Sequence, residues 1–160
     1  MEQPIVTDTL ILDPVILTNH IEKHFHARHR EQLPLLIELA NKVEAVHAAH
    51  SDAPHGLAAA LSRFHDDLVE HMHKEEVILF PAMRQGGMPG IEHPIHVMRA
   101  DHADHIETAE AIRRLAGNLV LPEGACRTWA ALYEGLGEFL ADFADHVRTE
   151  NEQLFPLFEH

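Results

Sequence analysis

An all-α fold, an up-down-up-down antiparallel four-helix bundle, is predicted by three features of the 160-residue sequence. Apolar residues recur at steps of three and four through four long segments, no stretch alternates with period two for long, and short turns separate the segments. Short connections between successive helices make neighbours antiparallel.

The first helix is expected over roughly 14 to 49. Asp13-Pro14 supplies an N-cap followed by proline in the first turn, and Ile21, Phe25, Leu33, Leu36, Ala40 and Val43 form its apolar face. Pro34 lies inside it, removes a backbone donor to the Arg30 carbonyl and is expected to kink it. After the turn "HSDAPHG", Leu57, Leu61, Phe64, Leu68, His71, Glu75 and Ile78 follow at steps of four and three, the spacing of a buried face. This second helix is expected to end near Met83, before "RQGGMPG". The third runs from about 92 to 116, with Ile95, Met98, His102, Ala109, Ile112 and Ala116 inward and Gly117 stopping it. The fourth follows the loop "NLVLPEGA" and carries Leu132, Leu136, Phe139, Phe143, His146, Glu150 and Leu154, with Pro156 marking its end. Residues 14–160 are expected to form one bundle domain behind an amino-terminal extension, residues 1–13.

The totals narrow the function. Acidic residues outnumber basic ones 26 to 12, for a formal charge of −14, so the phosphate attraction behind nucleic-acid binding is absent. No nucleic-acid partner and no anionic membrane is expected. The opening "MEQPIVTDTLILDP" has no Lys or Arg and only a short apolar patch, making neither a signal peptide nor a membrane span. The single cysteine, Cys126, excludes an intramolecular disulfide and fits a reducing compartment, so a cytoplasmic protein is expected. The unusual total is 16 histidines, the commonest metal-ligating side chain.

An internal repeat organises those histidines. At an offset of 75, Leu57, Leu61, Phe64, His71, Glu75, Leu79, Phe80 and Pro81 meet identical residues at Leu132, Leu136, Phe139, His146, Glu150, Leu154, Phe155 and Pro156. At an offset of 76, "HARH" (His26 to His29) meets "HADH" (His102 to His105). The chain thus reads as two helical hairpins of one pattern, a design that packs about a pseudo-two-fold axis and gathers the repeated polar residues at its centre.

An exposed His-Glu pair four residues apart is worth only about 0.2–0.5 kcal/mol. His71 and Glu75, however, lie on the same stripe as Leu57, Leu61, Phe64 and Leu68, and His146 and Glu150 repeat the exception. Burying an ionised glutamate beside an imidazole without compensation costs several kcal/mol, so two such pairs plus two histidines need a partner, for which a divalent metal is expected over a purely hydrogen-bonded polar layer. Two His-x-x-x-Glu pairs and one His from each remaining helix give four imidazoles and two carboxylates. Six ligands exceed one tetrahedral zinc but suit two metals that share the carboxylates. Mixed nitrogen and oxygen donors with spare coordination positions favour iron, with manganese or zinc as alternatives, and an oxo or hydroxo bridge is expected to complete the pair. Spacing alone leaves His29 and His105 as rivals of His26 and His102.

The segments "FHARHREQLP", "HMHKEEVILFP", "DHADH", "GACRTW" and "DHVRTENEQLFP" resemble hemerythrin-like (HHE) domains, most closely the Repair of Iron Centres (RIC) di-iron family, over nearly all of residues 14 to 158. The resemblance implies that His26, His71, His102 and His146 are terminal iron ligands and that Glu75 and Glu150 bridge two irons. Oxygen-carrying hemerythrins have a fifth His and an Asp where this chain has Ile106 and Asn151, so the match is to the symmetric four-His, two-Glu pattern. Full-length repair proteins also carry a small amino-terminal domain with adjacent cysteines, which nothing before Asp13 is expected to form.

The remaining polar residues are expected to play lesser parts. His73 and Glu76 fall off the ligand stripe and read as solvated. His20, His24, His47, His50, His55, His93, His96 and His160 have no repeat partner and read as surface residues. Glu44-x-x-His47 imitates a ferritin-like motif once only and reads as chance. His29, His65 and His105 read as either supports of the ligands or plain packing. Asp67, Asp142 and Asp101 read as imidazole-orienting groups, as lining of an access route, or as ordinary exposed acids.

The functional expectation is a redox-active di-iron site that binds a small diatomic or peroxide. In the repair family such chemistry is linked to nitrosative and oxidative damage and to iron supply for an iron–sulfur protein. The rival expectations are a module that binds oxygen or nitric oxide reversibly without turnover, and a closed metal centre that only staples the bundle.

Overall fold

The computed structural model describes residues 13–160; the expected extension lies, but for Asp13, outside the described residues. Helix α1 comprises Pro14–His20, a π-helical turn at Ile21–His26, and Ala27–Val46. Helix α2 comprises Leu57–Lys74, a π turn at Glu75–Leu79, and Phe80–Arg84. Helix α3 is Glu92–Leu115. Helix α4 comprises Arg127–Thr149 and a π turn at Glu150–Leu154, followed by a 3-10 turn at Phe155–Phe158. There is no strand among the described residues, and the all-α reading stands.

Local signals set these boundaries. The Asp13 carboxylate accepts the Val15 N–H at 2.8 Å, capping α1 as its sequence predicts. The N-terminus of α2 is capped from a distance, since Glu44 accepts the N–H groups of Gly56 and Ala58 at 2.9 and 2.7 Å. That gives Glu44 a structural role unrelated to the motif it imitates. Gly117, at φ +60, ends α3 in a conformation that a side chain would disfavour. Helix α1 continues through Pro34.

The apolar stripes meet in two separate cores. One joins Leu33, Leu36, Leu61, Phe64, Leu136 and Phe139 along most of the bundle. The other joins Ile21, Phe25, Phe80, Met98, Leu154 and Phe155 at the end where α1 begins and α2 finishes. Between them lies a buried polar layer containing His26, His71, Glu75, His102, His146 and Glu150.

The π turns correct one expectation. Ile78 was expected on the buried stripe but is 58% exposed, while Leu79 and Phe80 are buried. In this turn the Phe80 N–H bonds to the Glu75 carbonyl five residues back instead of four. The extra residue rotates everything beyond Glu75 around the helix axis. Helix α4 does the same, with the Phe155 N–H on the Glu150 carbonyl, and α1 does so with the Ala27 N–H on the Glu22 carbonyl. All three π turns thus begin or end at residues of the polar layer, where such bulges commonly occur in functional sites.

Candidate metal centre

The six residues singled out by register together with the family resemblance converge. His26, Glu75, His146 and Glu150 form one group whose ligating atoms lie within 4.8 Å of one another, and His71, Glu75, His102 and Glu150 form a second. Both glutamates belong to both groups. Glu75 turns Oε1 to His26 Nε2 at 3.1 Å and Oε2 to His71 Nε2 at 3.3 Å. Glu150 turns Oε2 to His146 Nε2 at 2.8 Å and Oε1 to His102 Nε2 at 2.9 Å. Each carboxylate therefore offers one oxygen to each of two positions.

The donors fit a pair of divalent cations. His71 Nε2, Glu75 Oε2, His102 Nε2 and Glu150 Oε1 are buried and make no hydrogen bond, despite the short separations just given. Close approach without hydrogen-bond alignment is what atoms directed at a shared third point produce. Buried polar atoms left unpaired are costly and demand such an explanation. Two imidazole nitrogens and two carboxylate oxygens per position form a mixed donor set of the kind that iron accepts.

A surrounding layer fixes each imidazole so that Nε2 faces inward. His26 Nδ1 donates to Glu76 at 2.7 Å, and Arg30 clamps that carboxylate at 2.7 and 3.1 Å. His102 Nδ1 donates to Asn151 Oδ1 at 2.7 Å. His71 Nδ1 donates to Asp101 at 3.1 Å. His146 Nδ1 lies 3.1 Å from His29 Nε2; His29 Nδ1 is 3.3 Å from Gln32 Oε1, and Gln32 Nε2 donates to Asp142 at 2.9 Å. One consistent set of protons runs along that chain outward from His146, with His29 neutral. Phe80 stacks on His26 and Phe155 on His102, with ring centres 5.8 and 5.7 Å apart. The repeated Leu-Phe-Pro thus supplies a ring for each of these two imidazoles.

Burial alone would lower these imidazoles. For His26 the carboxylates of Glu150, Glu75 and Glu76 outweigh it and raise the ring to about 11, and Glu75 raises His71 to about 9 in the same way. His146 stays lowered by burial despite Glu150 beside it. Burial pushes Glu150 up, yet His146, His102 and His26 hold it well below the usual carboxylate range. A field that holds protons on buried rings also attracts cations. Around it, burial lowers His29 to about 3 and His105 to about 4, leaving both neutral.

Among the other expectations, His73 is exposed, as are His20, His24, His55, His93, His96 and His160. His47 and His50 are half-buried against Trp129, and His65 pairs with Asp66 at 3.1 Å. Glu76 is the main correction. It is half-buried and orients His26 instead of facing water, and the bonds from His26 and Arg30 hold its carboxyl down at about 2. Its repeat counterpart at the 75-residue offset is Asn151, which orients His102, and that equivalence was the available signal. Replacing Glu76 with Ala should weaken iron binding by about 10- to 100-fold, the usual cost of losing such a support. Competition against a chelator checks this, with His73→Ala as the variant expected to bind like the wild type; equal affinities for both would contradict it.

Comparison with known proteins agrees with this geometry. A family model described as the hemerythrin HHE cation binding domain matches residues 17–158. The chain is similar to the iron-sulfur cluster repair protein YtfE of Pectobacterium atrosepticum, with 48% identity over 137 residues, 86% of this chain and 62% of that protein. The protein of the same name from Musicola paradisiaca is 50% identical over the same shares. That from Yersinia pseudotuberculosis is 46% identical over 140 residues, 88% of this chain and 63% of its own. The chain thus spans a little under two thirds of the length of these curated relatives.

Proposed function

The chain belongs to the hemerythrin HHE cation-binding family, and from that premise we propose that residues 14–160 form a non-haem di-iron domain acting in iron–sulfur cluster repair. In this reading His26, His71, His102 and His146 are terminal ligands and Glu75 and Glu150 bridge two irons, with an oxo or hydroxo bridge between them. The observation that carries the reading is the division of each carboxylate between two His pairs. Further support comes from the names of the relatives, which are iron-sulfur cluster repair proteins. The partners proposed are a nitric oxide, oxygen or peroxide ligand and an iron–sulfur protein that receives iron. The proposed setting is the cytoplasm; among the described residues no helix is long and apolar enough to cross a membrane.

The iron pair supplies one-electron redox steps and open positions for a small ligand. The protein's own part is positioning and exclusion. Glu76, Asp101, Asn151 and His29 fix the four rings by their Nδ1 atoms, so that every Nε2 lone pair points to the centre. Phe80 and Phe155 block rotation of two rings and, with the apolar core beneath them, keep water from that side.

Anaerobic absorbance and Mössbauer spectra recorded with nitric oxide, oxygen and peroxide test the reading. New bands with a change of iron oxidation state are expected. Spectra unmoved by every small molecule would instead indicate a closed structural staple, and fully reversible changes without turnover would indicate a sensing or storage module.

A further inference from the structure

The pseudo-two-fold repeat is broken on one side of the centre. Between α2 and α3 runs a groove of about 230 Å³ whose walls include Asp67, Glu70, Asp101, Asp104, His71 and His105. It reaches the candidate ligand His71 and, beside it, His105. His105 is only 8% exposed and its Nδ1 has no hydrogen-bond partner. Lys74 also lines the groove but is tied to Glu70 at 3.7 Å. Among the described residues no cationic side chain is paired with Asp67 or Asp104.

At the equivalent positions between α1 and α4 the acid is neutralised and an aromatic ring covers the histidine. The 76-residue offset places Phe25 opposite Asp101, Arg28 opposite Asp104 and Gln32 opposite Thr108, and the 75-residue offset places Asp142 opposite Asp67. Arg28 bridges to Asp142 at 2.8 Å and Gln32 donates to it at 2.9 Å. Phe25 stacks flat on His146, with ring centres 5.3 Å apart. His29 is fully engaged there, bonded to His146 and Gln32, whereas its counterpart His105 is left with a spare nitrogen because Asp101 supports His71 instead. One half of the repeat therefore carries an aromatic plug and a neutralised acid. The other carries unneutralised acids and an unpaired buried imidazole.

Resting on the di-iron reading, we propose that the α2–α3 groove is the route by which ferrous iron enters and leaves the centre, passing Asp67, Asp104 and His105 to the position held by His71 and His102. Carboxylates along a groove concentrate divalent cations and speed their capture, an effect that salt screens. Only two sets of residues among those described converge closely enough to hold an ion, and neither includes the groove acids, so these pass iron on and do not store it. The position they feed is the one whose four donor atoms make no hydrogen bonds.

The test follows ferrous iron under anaerobic conditions, first entering stripped protein and then leaving reduced, loaded protein for a chelator. In Asp104→Arg the new guanidinium faces Asp67 as Arg28 faces Asp142, so uptake and release should both slow by about ten-fold. Final iron content and melting temperature should match the wild type. Wild-type uptake should slow as salt is added, and uptake by the variant much less. Asp145→Asn, at the counterpart of Glu70 on the α1–α4 side, should leave rates within about two-fold of wild type. Asp67→Asn combined with Asp104→Asn removes the acids without adding bulk, and should slow uptake even if the Arg variant folds poorly. Full loading at the wild-type rate in that double variant would overturn the groove proposal while leaving the di-iron reading intact. A wild-type chain that takes up no iron would overturn the di-iron reading and the groove with it.

Discussion

Replacing Glu75 or Glu150 with Ala is expected to take iron content from about two per chain to fewer than one after careful reconstitution. Each carboxylate gives one oxygen to the position of His26 and His146 and the other to that of His71 and His102. One substitution therefore removes a donor from both positions, and it leaves the facing imidazoles without the negative charge that makes the layer attract cations. A terminal ligand behaves differently. His102→Ala strips only the second position and should leave about one iron held by His26, Glu75, His146 and Glu150. Metal analysis of the three variants beside His73→Ala, a change on the exposed surface, separates these cases. Equal retention in Glu75→Ala and His73→Ala would count against the register, and complete loss in His102→Ala would count against two separable positions.

Stripping iron from the wild type should lower its melting temperature by roughly 10 °C. A ligand present at a thousand times its dissociation constant stabilises the state that binds it by about 4 kcal/mol. In a chain of this length each kcal/mol moves the midpoint by about 2–4 °C. The physical source is the polar layer between the two apolar cores, where two glutamates and four histidines are almost wholly buried. The same chelation applied to Glu75→Ala should move the midpoint little, since that variant holds little metal to lose. A wild-type melting curve indifferent to verified iron removal would show that the centre contributes nothing to folding stability.

Much of this was legible because buried helix faces leave a periodic trace. Leu57, Leu61, Phe64 and Leu68 place His71 and Glu75 on the inner stripe by arithmetic alone, and the second hairpin repeats the placement with identical residues except Phe143 for Leu68. What failed did so at one kind of place. The exposure of Ile78 follows from the π turn at Glu75–Leu79, and a period-3.6 reading cannot register an inserted residue that leaves no Gly or Pro behind it. Glu76, in the same turn, reads as a solvated acid for a second reason, since its contact with His26 crosses from one helix to another and has no spacing within its own. The His29 relay and the Asp101 support differ between halves that are otherwise alike. A repeat finds what two halves share, and these supports are what they do not share. The replacement of Phe25 by Asp101 is visible in the alignment of "FHARH" with "DHADH", but its meaning depends on which groove each residue lines.

The central claim is that Glu75 and Glu150 bridge two iron ions between four histidines. Iron content and Mössbauer spectra of the anaerobically reconstituted wild type test it most directly. About two irons per chain in a magnetically coupled pair, with coupling lost in Glu75→Ala, is the result expected. Fewer than one iron per chain, or two irons that show no coupling and survive the loss of Glu75, would contradict it.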